Sequence, residues 1–223
     1  MFRKEELESW LVALGNAITK PLDMYLIGGC AMSFKGIKDR TKDIDIVMLK
    51  RSDLNRLREA LPAIGYKRMT ELEDFYLSAV MVFEKKESRI DLFLRDICKQ
   101  LQFTDAMVQR VELYKKLHNL NVYLASNEDI FLFKAITDRE HDVDDCIELL
   151  KQRMSLSVIM SEMKAQTKHH WCFAVYEKLC QIDEKVGETT GLKEQVKRLC
   201  YSVKDKAPAD FMYAVDKKKH WEE

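Results

Sequence analysis

The stretch that decides the fold is Lys42-Asp43-Ile44-Asp45-Ile46-Val47, in which acidic and apolar residues alternate. Side chains along a β-strand point alternately to opposite faces, so Asp43 and Asp45 lie on the same face. Two neighbouring carboxylates repel each other, and a divalent cation relieves that repulsion. Carboxylate oxygens are hard ligands that suit Mg²⁺ or Mn²⁺. The stretch therefore predicts a strand with a metal site on one face.

A third carboxylate, Asp91, stands in a similar setting further along the chain. It lies within Arg89-Ile90-Asp91-Leu92-Phe93, where apolar residues flank it as in a second strand. If that strand lies beside the one with Asp43 and Asp45, the three carboxylates would form a cradle for two metal ions. A single D-x-D motif is more typical of an edge strand with one solvated face, and the third Asp favours the metal site.

A glycine pair precedes these carboxylates. An apolar strand over residues 22–27 ends at Gly28-Gly29, where a short helix begins. The start of a helix presents backbone N–H groups that can bind phosphate. A Gly-Gly pair alone is equally typical of a simple turn between strand and helix. A nucleotide site is favoured by the order in which these features follow one another: the strand, Gly-Gly, the short helix, Arg-Thr, the D-x-D strand and the later strand with Asp91.

This ordered series, LIGGCAMSFKGIKDRTKDIDIV over residues 26–47, resembles the DNA polymerase beta-like nucleotidyltransferase superfamily. It looks most like the AbiEii-type toxin nucleotidyltransferases and related uncharacterised bacterial and archaeal proteins. The resemblance implies an α/β (α+β) fold with a nucleotidyltransferase-type mixed sheet and flanking helices. It also implies an enzyme that transfers a nucleoside monophosphate from an NTP to a hydroxyl acceptor (RNA, tRNA or protein) and releases pyrophosphate. A cognate antitoxin becomes a candidate partner.

The same resemblance assigns roles to residues. Asp43, Asp45 and Asp91 would be the catalytic and metal-binding residues, with Mg²⁺ or Mn²⁺ as the cofactor. Phosphate oxygens would contact the glycines and the helix start, and a lysine would neutralise the leaving pyrophosphate. The residues expected to bind the nucleotide are Gly28, Gly29, Ser33, Arg40, Thr41, Lys134 and Asp142.

The lysine belongs to a second stretch that resembles the same group, LNVYLASNEDIFLFKAITDREHDVDDCIELL over residues 120–150. Residues 126–129, Ser-Asn-Glu-Asp, form a capping-box pattern that begins a helix. Four charged residues recur every three or four positions and would share one face of a continuous helix: Lys134, Asp138, Asp142 and Asp145. Such a face is usually solvated, but the apolar residues of the window require a packed helix. Lys134 then either reaches a triphosphate or pairs with Asp138.

The chain is expected to have two parts and a tail. These are a nucleotidyltransferase core over 1–103, a C-terminal helical module over 104–204 and a loosely ordered tail over 205–223. Periodicity in the module predicts a helix from residue 104 to about residue 117. Trp171 is expected in the core of the module, because a lone Trp among apolar neighbours at helical spacing is more often buried than a base-stacking platform.

Composition narrows the classes of function. With 47% hydrophobic and 33% charged residues but only 7 Gly and 3 Pro, the chain is neither collagen-like nor largely disordered. Its 37 basic and 37 acidic residues balance, so net charge indicates no nucleic-acid or membrane partner. The first residues, MFRKEELESW, lack the apolar segment of a signal peptide, which predicts a cytoplasmic protein. The cysteines form no C-x-x-C pair, so zinc is not expected.

Two other classes of function stay open. A non-catalytic, antitoxin-like protein could keep the same scaffold and bind RNA or a protein partner through its more basic C-terminal half. The complete set of three Asp residues argues against that class. An antibiotic-type nucleotidyltransferase would share the core and modify a small molecule. Nucleotide-dependent labelling of RNA, protein or an aminoglycoside would separate the three.

Overall fold

In the computed structural model the chain has a mixed α/β fold, as expected from its sequence. It divides into two compact units, Met1–Ile130 and Phe131–Glu223. The predicted tail over 205–223 lies outside the described residues. The structure describes residues 1–69, 79–86, 88–97, 101–137, 139, 141–166, 171–187 and 191–203.

The first unit is built on one mixed sheet. Its strands are β1 (Leu22–Ile27), β2 (Asp43–Met48), β3 (Lys67–Arg68), β4 (Met81–Lys85), β5 (Ser88–Leu94), β6 (Asp96–Ile97), β7 (Leu101–Gln102), β8 (Glu112–Leu117) and β9 (Leu120–Leu124). The main order is β3-β4-β5-β2-β1-β9-β8, and β6 pairs with β5 and β7. Two pairs in the middle of the sheet, β2 with β5 and β1 with β9, are parallel.

The helices of this unit precede the first strand, connect strands or follow the last strand. They are α1 (Lys4–Ala17), α2 (Gly28–Phe34), α3 (Arg51–Ala60), which leads into a 3-10 turn over Leu61–Ile64, α4 (Asp105–Arg110) and α5 (Asn127–Ala135), whose last turns belong to the second unit. The N-cap half of the predicted capping box of α5 is confirmed, since Ser126 Oγ accepts a hydrogen bond from the Asp129 backbone N–H at 3.2 Å. Asp129 in turn is fully buried and pairs with Arg110 at 2.6 Å.

Alternation along the central strands separates the two faces of the sheet. One face carries apolar side chains that are fully buried: Met24, Leu26, Ile44, Ile46, Ile90 and Leu92. The other face carries the acidic residues of β2 and β5. Burying six such side chains stabilises the unit by roughly 1.5–3 kcal/mol each before entropy is counted. The six apolar side chains therefore hold one face of the sheet in the core, and the acidic residues share the other face with buried residues such as Val47 and Phe93.

The predicted helix from residue 104 to about 117 is wrong in its second half. Helix α4 ends at Arg110, and residues 112–117 form β8, which pairs with β9 through a turn at His118, where φ is +49°. The sequence ELYKKL has no clear period, and pairing with the apolar strand LNVYL selects the extended form. The sheet consequently continues past residue 103, and the first unit ends at Ile130.

The second unit is helical within the described residues. After the end of α5 it contains α6 (Asp142–Leu150), α7 (Leu156–Ala165), α8 (Trp171–Val186) and α9 (Gly191–Val203). Trp171, Phe173 and Val175 are buried, so the prediction that they form part of its core is confirmed. None of the helices in the described part of the chain combines the length and apolar character that a bilayer crossing needs.

Candidate active site

The three predicted catalytic aspartates lie on one face of the sheet. Strands β2 and β5 are parallel neighbours, and their register places Asp45 beside Asp91 and Asp43 beside Arg89. Residues in register on parallel strands point to the same face, and Asp43 shares it because it stands two residues before Asp45. The prediction that Asp91 lies on an adjacent strand, on the same face, is confirmed. Its role in catalysis stays a prediction.

An arginine that the sequence reasoning missed lies among these carboxylates. Arg89 Nη2 donates to Asp91 Oδ2 at 2.9 Å and to Asp43 Oδ2 at 3.3 Å. Asp91 is only 4% exposed, and burying an ionised carboxylate without a cation nearby is costly. Arg89 therefore supplies the positive charge that lets two of the three carboxylates lie close together. The sequence does contain a signal for this contact: Arg89 precedes Asp91 by two residues in a strand, so both side chains lie on the same face.

The glycine pair is fitted tightly against these carboxylates. Gly28 has φ +61°, and a Cβ there would clash with Asp45 Oδ2. A Cβ on Gly29 would lie 2.7 Å from Thr41 Oγ1, which donates to the backbone carbonyl of Asp43 at 3.0 Å. Both positions therefore need glycine, one for its backbone conformation and both for space. The structure brings the predicted residues Gly28, Gly29 and Thr41 together with the paired carboxylates of β2.

Two other predicted nucleotide-binding residues, Ser33 and Arg40, line a separate cavity of about 410 Å³ in the same unit. Ser33 is buried, and its hydroxyl has no hydrogen-bond partner among the described residues. Sequence reasoning did not find the N-terminal residues that share this cavity. The full lining is Arg3, Lys4, Glu5, Ser33, Gly36, Lys38, Asp39 and Arg40. The four cations outnumber the two carboxylates, so the cavity favours anions.

The predicted lysine lies in the second unit, in an ion-paired cluster. Lys134 Nζ lies 2.9 Å from Asp142 Oδ1 and 2.8 Å from Asp145 Oδ2. The Thr137 hydroxyl donates to Asp142 Oδ2 at 2.6 Å. Burial lowers the pKa of the Lys134 ammonium, but the two carboxylates raise it by more, so the pKa lies above its ordinary value. Lys134 is therefore charged at any physiological pH.

The single polar face expected on a continuous helix is absent for Lys134, Asp142 and Asp145, because these residues belong to two helices. Helix α5 ends at Ala135 and α6 begins at Asp142, so Asp142 and Asp145 approach Lys134 from the start of another helix. Carboxylates are favourable in the first turn of a helix, which explains their place in α6. Asp138, the alternative partner of Lys134, lies outside the described residues.

The carboxylates of the first unit match a magnesium-type ligand set in chemistry. Asp43 and Asp45 are half-buried, and all three residues offer hard oxygen atoms. Within the described residues, no group of three or more His, Cys, Asp or Glu side chains is gathered closely enough to hold a metal ion. Arg89 Nη2 contacts both Asp43 and Asp91, so the positive charge among these carboxylates is that of the guanidinium.

Comparison with known proteins gives the class of this chain. Residues 11–178 match the family described as "Nucleotidyltransferase of unknown function (DUF6036)". Among solved structures, the antibiotic-resistance factor ANT(2'')-Ia is 14% identical with a TM-score of 0.43, covering 64% of this chain and 84% of that one. JHP933 from Helicobacter pylori is 15% identical with a TM-score of 0.42, covering 99% of this chain and 97% of that one. No curated protein matches the sequence. Since the family match spans most of the chain, this protein belongs to the DUF6036 family of nucleotidyltransferases.

Proposed function

We propose that this protein is a metal-dependent enzyme that transfers a nucleoside monophosphate from an NTP to a hydroxyl acceptor and releases pyrophosphate. The observation that carries the proposal is the register of β2 and β5, with Asp45 beside Asp91 and Asp43 on the same face. Membership of a nucleotidyltransferase family supports the class of reaction. The metal ions, the preferred NTP and the acceptor are part of the proposal.

Asp43, Asp45 and Asp91 are the residues that would hold Mg²⁺ or Mn²⁺. When bound, such ions stabilise negative charge on the attacking and leaving oxygens of an in-line displacement. The structure supports this role by leaving the two β2 carboxylates half-buried and by placing a residue without a Cβ against Asp45.

Asp91 is the residue proposed to receive the proton of the acceptor hydroxyl. It is buried and held by Arg89 at 2.9 Å, so its carboxylate has a fixed orientation. A base must lie within hydrogen-bond reach of the proton it takes, and a fixed carboxylate meets that demand better than a mobile one. Arg89 is a positioning residue in this scheme.

The phosphates of the nucleotide are proposed to lie against the glycine pair. Gly28 and Gly29 carry no side chains, so a phosphate can approach their backbone closely. Ser33 and Arg40 line a separate cavity that favours anions, and their binding of the nucleotide stays a prediction from the sequence. Lys134 and Asp142 lie in the second unit, and their role in meeting the charge of the leaving pyrophosphate stays a prediction from the sequence.

Labelling tests the proposal directly. The purified protein is incubated with each α-³²P-labelled NTP, in Mg²⁺ or in EDTA, and with total RNA, total protein or an aminoglycoside. We expect Mg²⁺-dependent label in one of the three acceptors, and no label with Asp45→Asn. The matched control is Asp23→Asn, which changes an exposed aspartate on β1. Equal labelling by Asp45→Asn, or no labelling of any acceptor by a folded wild-type protein, would contradict the proposal.

The acceptor that takes the label also decides among the finer alternatives. Label in RNA or protein is expected from the similarity to the AbiEii-type toxins, and label in the aminoglycoside would indicate an antibiotic-type enzyme. The toxin role and the cognate antitoxin stay predictions from the sequence.

A further inference from the structure

The first unit contains a second cavity, of about 570 Å³, on which the proposed reaction makes no demand. Its inner surface is formed by two buried aromatic residues, Trp10 of α1 and Tyr66 before β3, which are 7% and 3% exposed. The N-terminal segment, α1, the 3-10 turn and the β4–β5 hairpin surround it. Small-molecule sites have volumes of roughly 300–1,000 Å³ and largely apolar walls, so the size and the lining suit a small ligand.

Trp10, which lines this cavity, has an unused hydrogen-bond donor. The indole Nε1 is buried and has no partner among the described residues. An indole N–H is a donor only, and in folded proteins a buried one usually has an acceptor. Leaving such a donor unsatisfied is unfavourable. An acceptor atom on a ligand in this cavity would remove that cost.

Cationic side chains stand at the edge of the same cavity. Lys85 Nζ donates to the Ile64 carbonyl at 2.7 Å and lies 5.7 Å from the centroid of the Tyr66 ring, so its position is fixed beside the aromatic surface. Lys86, with φ +54°, is exposed at the turn of the hairpin. The one acidic residue of the lining, Glu6, accepts a hydrogen bond from the Arg3 backbone N–H at 2.7 Å. The edge of the cavity thus carries more positive than negative charge.

This cavity lies away from the proposed metal site. Ser88, which lines it, precedes Arg89 on β5, and alternation places the two side chains on opposite faces of the sheet. Ser88 Oγ donates to Tyr66 Oη at 3.1 Å, which confirms the side to which it points. A ligand in the cavity is therefore separated by the sheet from Asp45 and Asp91 and is not positioned as the reacting nucleotide.

We propose that this cavity binds a planar aromatic group with an anionic substituent, the chemical class to which nucleoside monophosphates belong. The ring lies on Trp10 and Tyr66, a ring nitrogen or carbonyl accepts from Trp10 Nε1, and the anionic group meets Lys85 and Lys86. Each part of the ligand corresponds to one feature of the lining: the aromatic surface, the unused donor and the two cations.

The test uses AMP as the probe and the full-length, ¹⁵N-labelled protein in EDTA. The chain has three tryptophans, and Trp10→Phe identifies the indole N–H signal of Trp10. We expect AMP to move that signal downfield, as a new hydrogen bond requires, and to leave the Trp171 signal in place. Adenosine, which lacks the phosphate, and inorganic phosphate, which lacks the ring, should both bind more weakly than AMP.

Calorimetry with variants measures separately what the indole donor and the lysine contribute to AMP binding. Trp10→Phe, which removes one donor, should weaken AMP binding by about 2- to 12-fold. Lys86→Gln should weaken it by about threefold or more. The matched control is Lys116→Gln, an exposed lysine on β8.

Two results with these proteins would overturn the proposal, and a third, in Asp45→Asn, would overturn it as well. One is an unmoved Trp10 signal at millimolar AMP, and the other is equal AMP affinity in Lys86→Gln and Lys116→Gln. The titration is repeated in Asp45→Asn, where the affinity should not change. Loss of AMP binding in that variant would mean that AMP binds at the carboxylates. The proposed nucleotidyl transfer would then be retained, and the proposed second site would be rejected.

Discussion

At the scale of single residues, Asp45 is the carboxylate that contacts the glycine pair. Its neighbours are Ile27 across β1, Asp91 across β5 and Gly28 at the start of α2. We expect Asp45→Asn to lower kcat of NTP turnover by at least about 100-fold, the size of effect that follows loss of one preorganised charge-stabilising group. The melting temperature should stay the same or rise, because repulsion between carboxylates is relieved. Full turnover in Asp45→Asn would contradict the proposal that Asp45 binds the metal ion.

Arg89 leads to a prediction that separates its structural role from that of the metal. Arg89→Gln leaves the buried carboxylate of Asp91 without its cation, and we expect a loss of about 1–3 kcal/mol in the free energy of unfolding. Mg²⁺ should restore part of this loss in the variant and stabilise wild type less, because the ion takes over the charge of the guanidinium. Urea unfolding with and without Mg²⁺ measures both effects. Equal Mg²⁺ effects in the two proteins would contradict the prediction.

Lys134 can be tested against a second Lys–Asp pair in the same unit. Lys134→Ala leaves Asp142 and Asp145 buried without a cation, so we expect a loss of about 3–5 kcal/mol in unfolding free energy. Lys185→Ala breaks an exposed pair with Asp144 and should cost at most about 1 kcal/mol. If Lys134 also meets the pyrophosphate, kcat/KM falls in Lys134→Ala, and Lys134→Arg rescues stability more than turnover. Unchanged kcat/KM in a folded Lys134→Ala protein would leave only the structural role.

At the scale of elements, α2 joins the glycine pair to the carboxylates of β2. Gly28→Ala combines a left-handed backbone angle with a clash against Asp45, and we expect a loss above about 2 kcal/mol together with loss of turnover. Gly36→Ala is the control, since φ is +73° there and the space around it is open. It should cost about 1–2 kcal/mol and keep turnover. Thermal unfolding and NTP assays on both variants separate backbone strain from the close approach to Asp45.

Elements with a clear period could be predicted from the sequence, and those without one could not. Strands β2 and β5 alternate and β1 is mostly apolar, and the structure has all three within a residue or two of the expected bounds. Strand β8 was missed because its residues are long and charged, and its conformation depends on pairing with β9. The sequence left open whether α5 and α6 form one helix, since Asp142 and Asp145 fit a helix face as well as a helix start.

The candidate site likewise has features that could be predicted from the sequence and features that could not. Alternation within each strand predicts that Asp43 and Asp45 share one face of β2 and that Asp91 lies on one face of β5. The parallel register that puts Asp45 beside Asp91 is a property of the folded sheet and could not be predicted in this way. The pairing of Arg89 with two carboxylates and the lining of both cavities depend on distances between segments far apart in the chain. Local sequence patterns carry no information on such distances.

At the scale of the whole molecule, buried phenols predict how stability depends on pH. Burial, with a smaller effect of Asp23, raises the pKa of Tyr25 to about 12, and burial also raises the pKa of several other tyrosines: Tyr66, Tyr114, Tyr123 and Tyr176. The unfolded chain loses phenol protons near pH 10, before the folded protein does. The stabilising effect is therefore complete below about pH 10 and is lost as pH rises toward 12.

Urea unfolding at pH 8, 10 and 11, with phenolate absorbance recorded in parallel, measures this dependence. We expect the urea midpoint to fall above pH 10, and to fall less steeply in Tyr25→Phe because one raised phenol pKa has been removed. A midpoint that stays constant from pH 8 to 11 would contradict the prediction.

The parallel pairing of β1 with β9 has a consequence for the order in which the chain folds. The side chains of Asp23 and Asn121, bonded across these two strands, are 98 positions apart in the sequence. Closing so large a loop costs entropy before any contact repays it, and proteins rich in distant pairings fold slowly. A nascent chain that has not yet reached residue 120 holds β1 with one of its edges open. The apolar strand before the glycine pair is then exposed to other chains, so the newly made protein depends on rapid completion of β9 to avoid association.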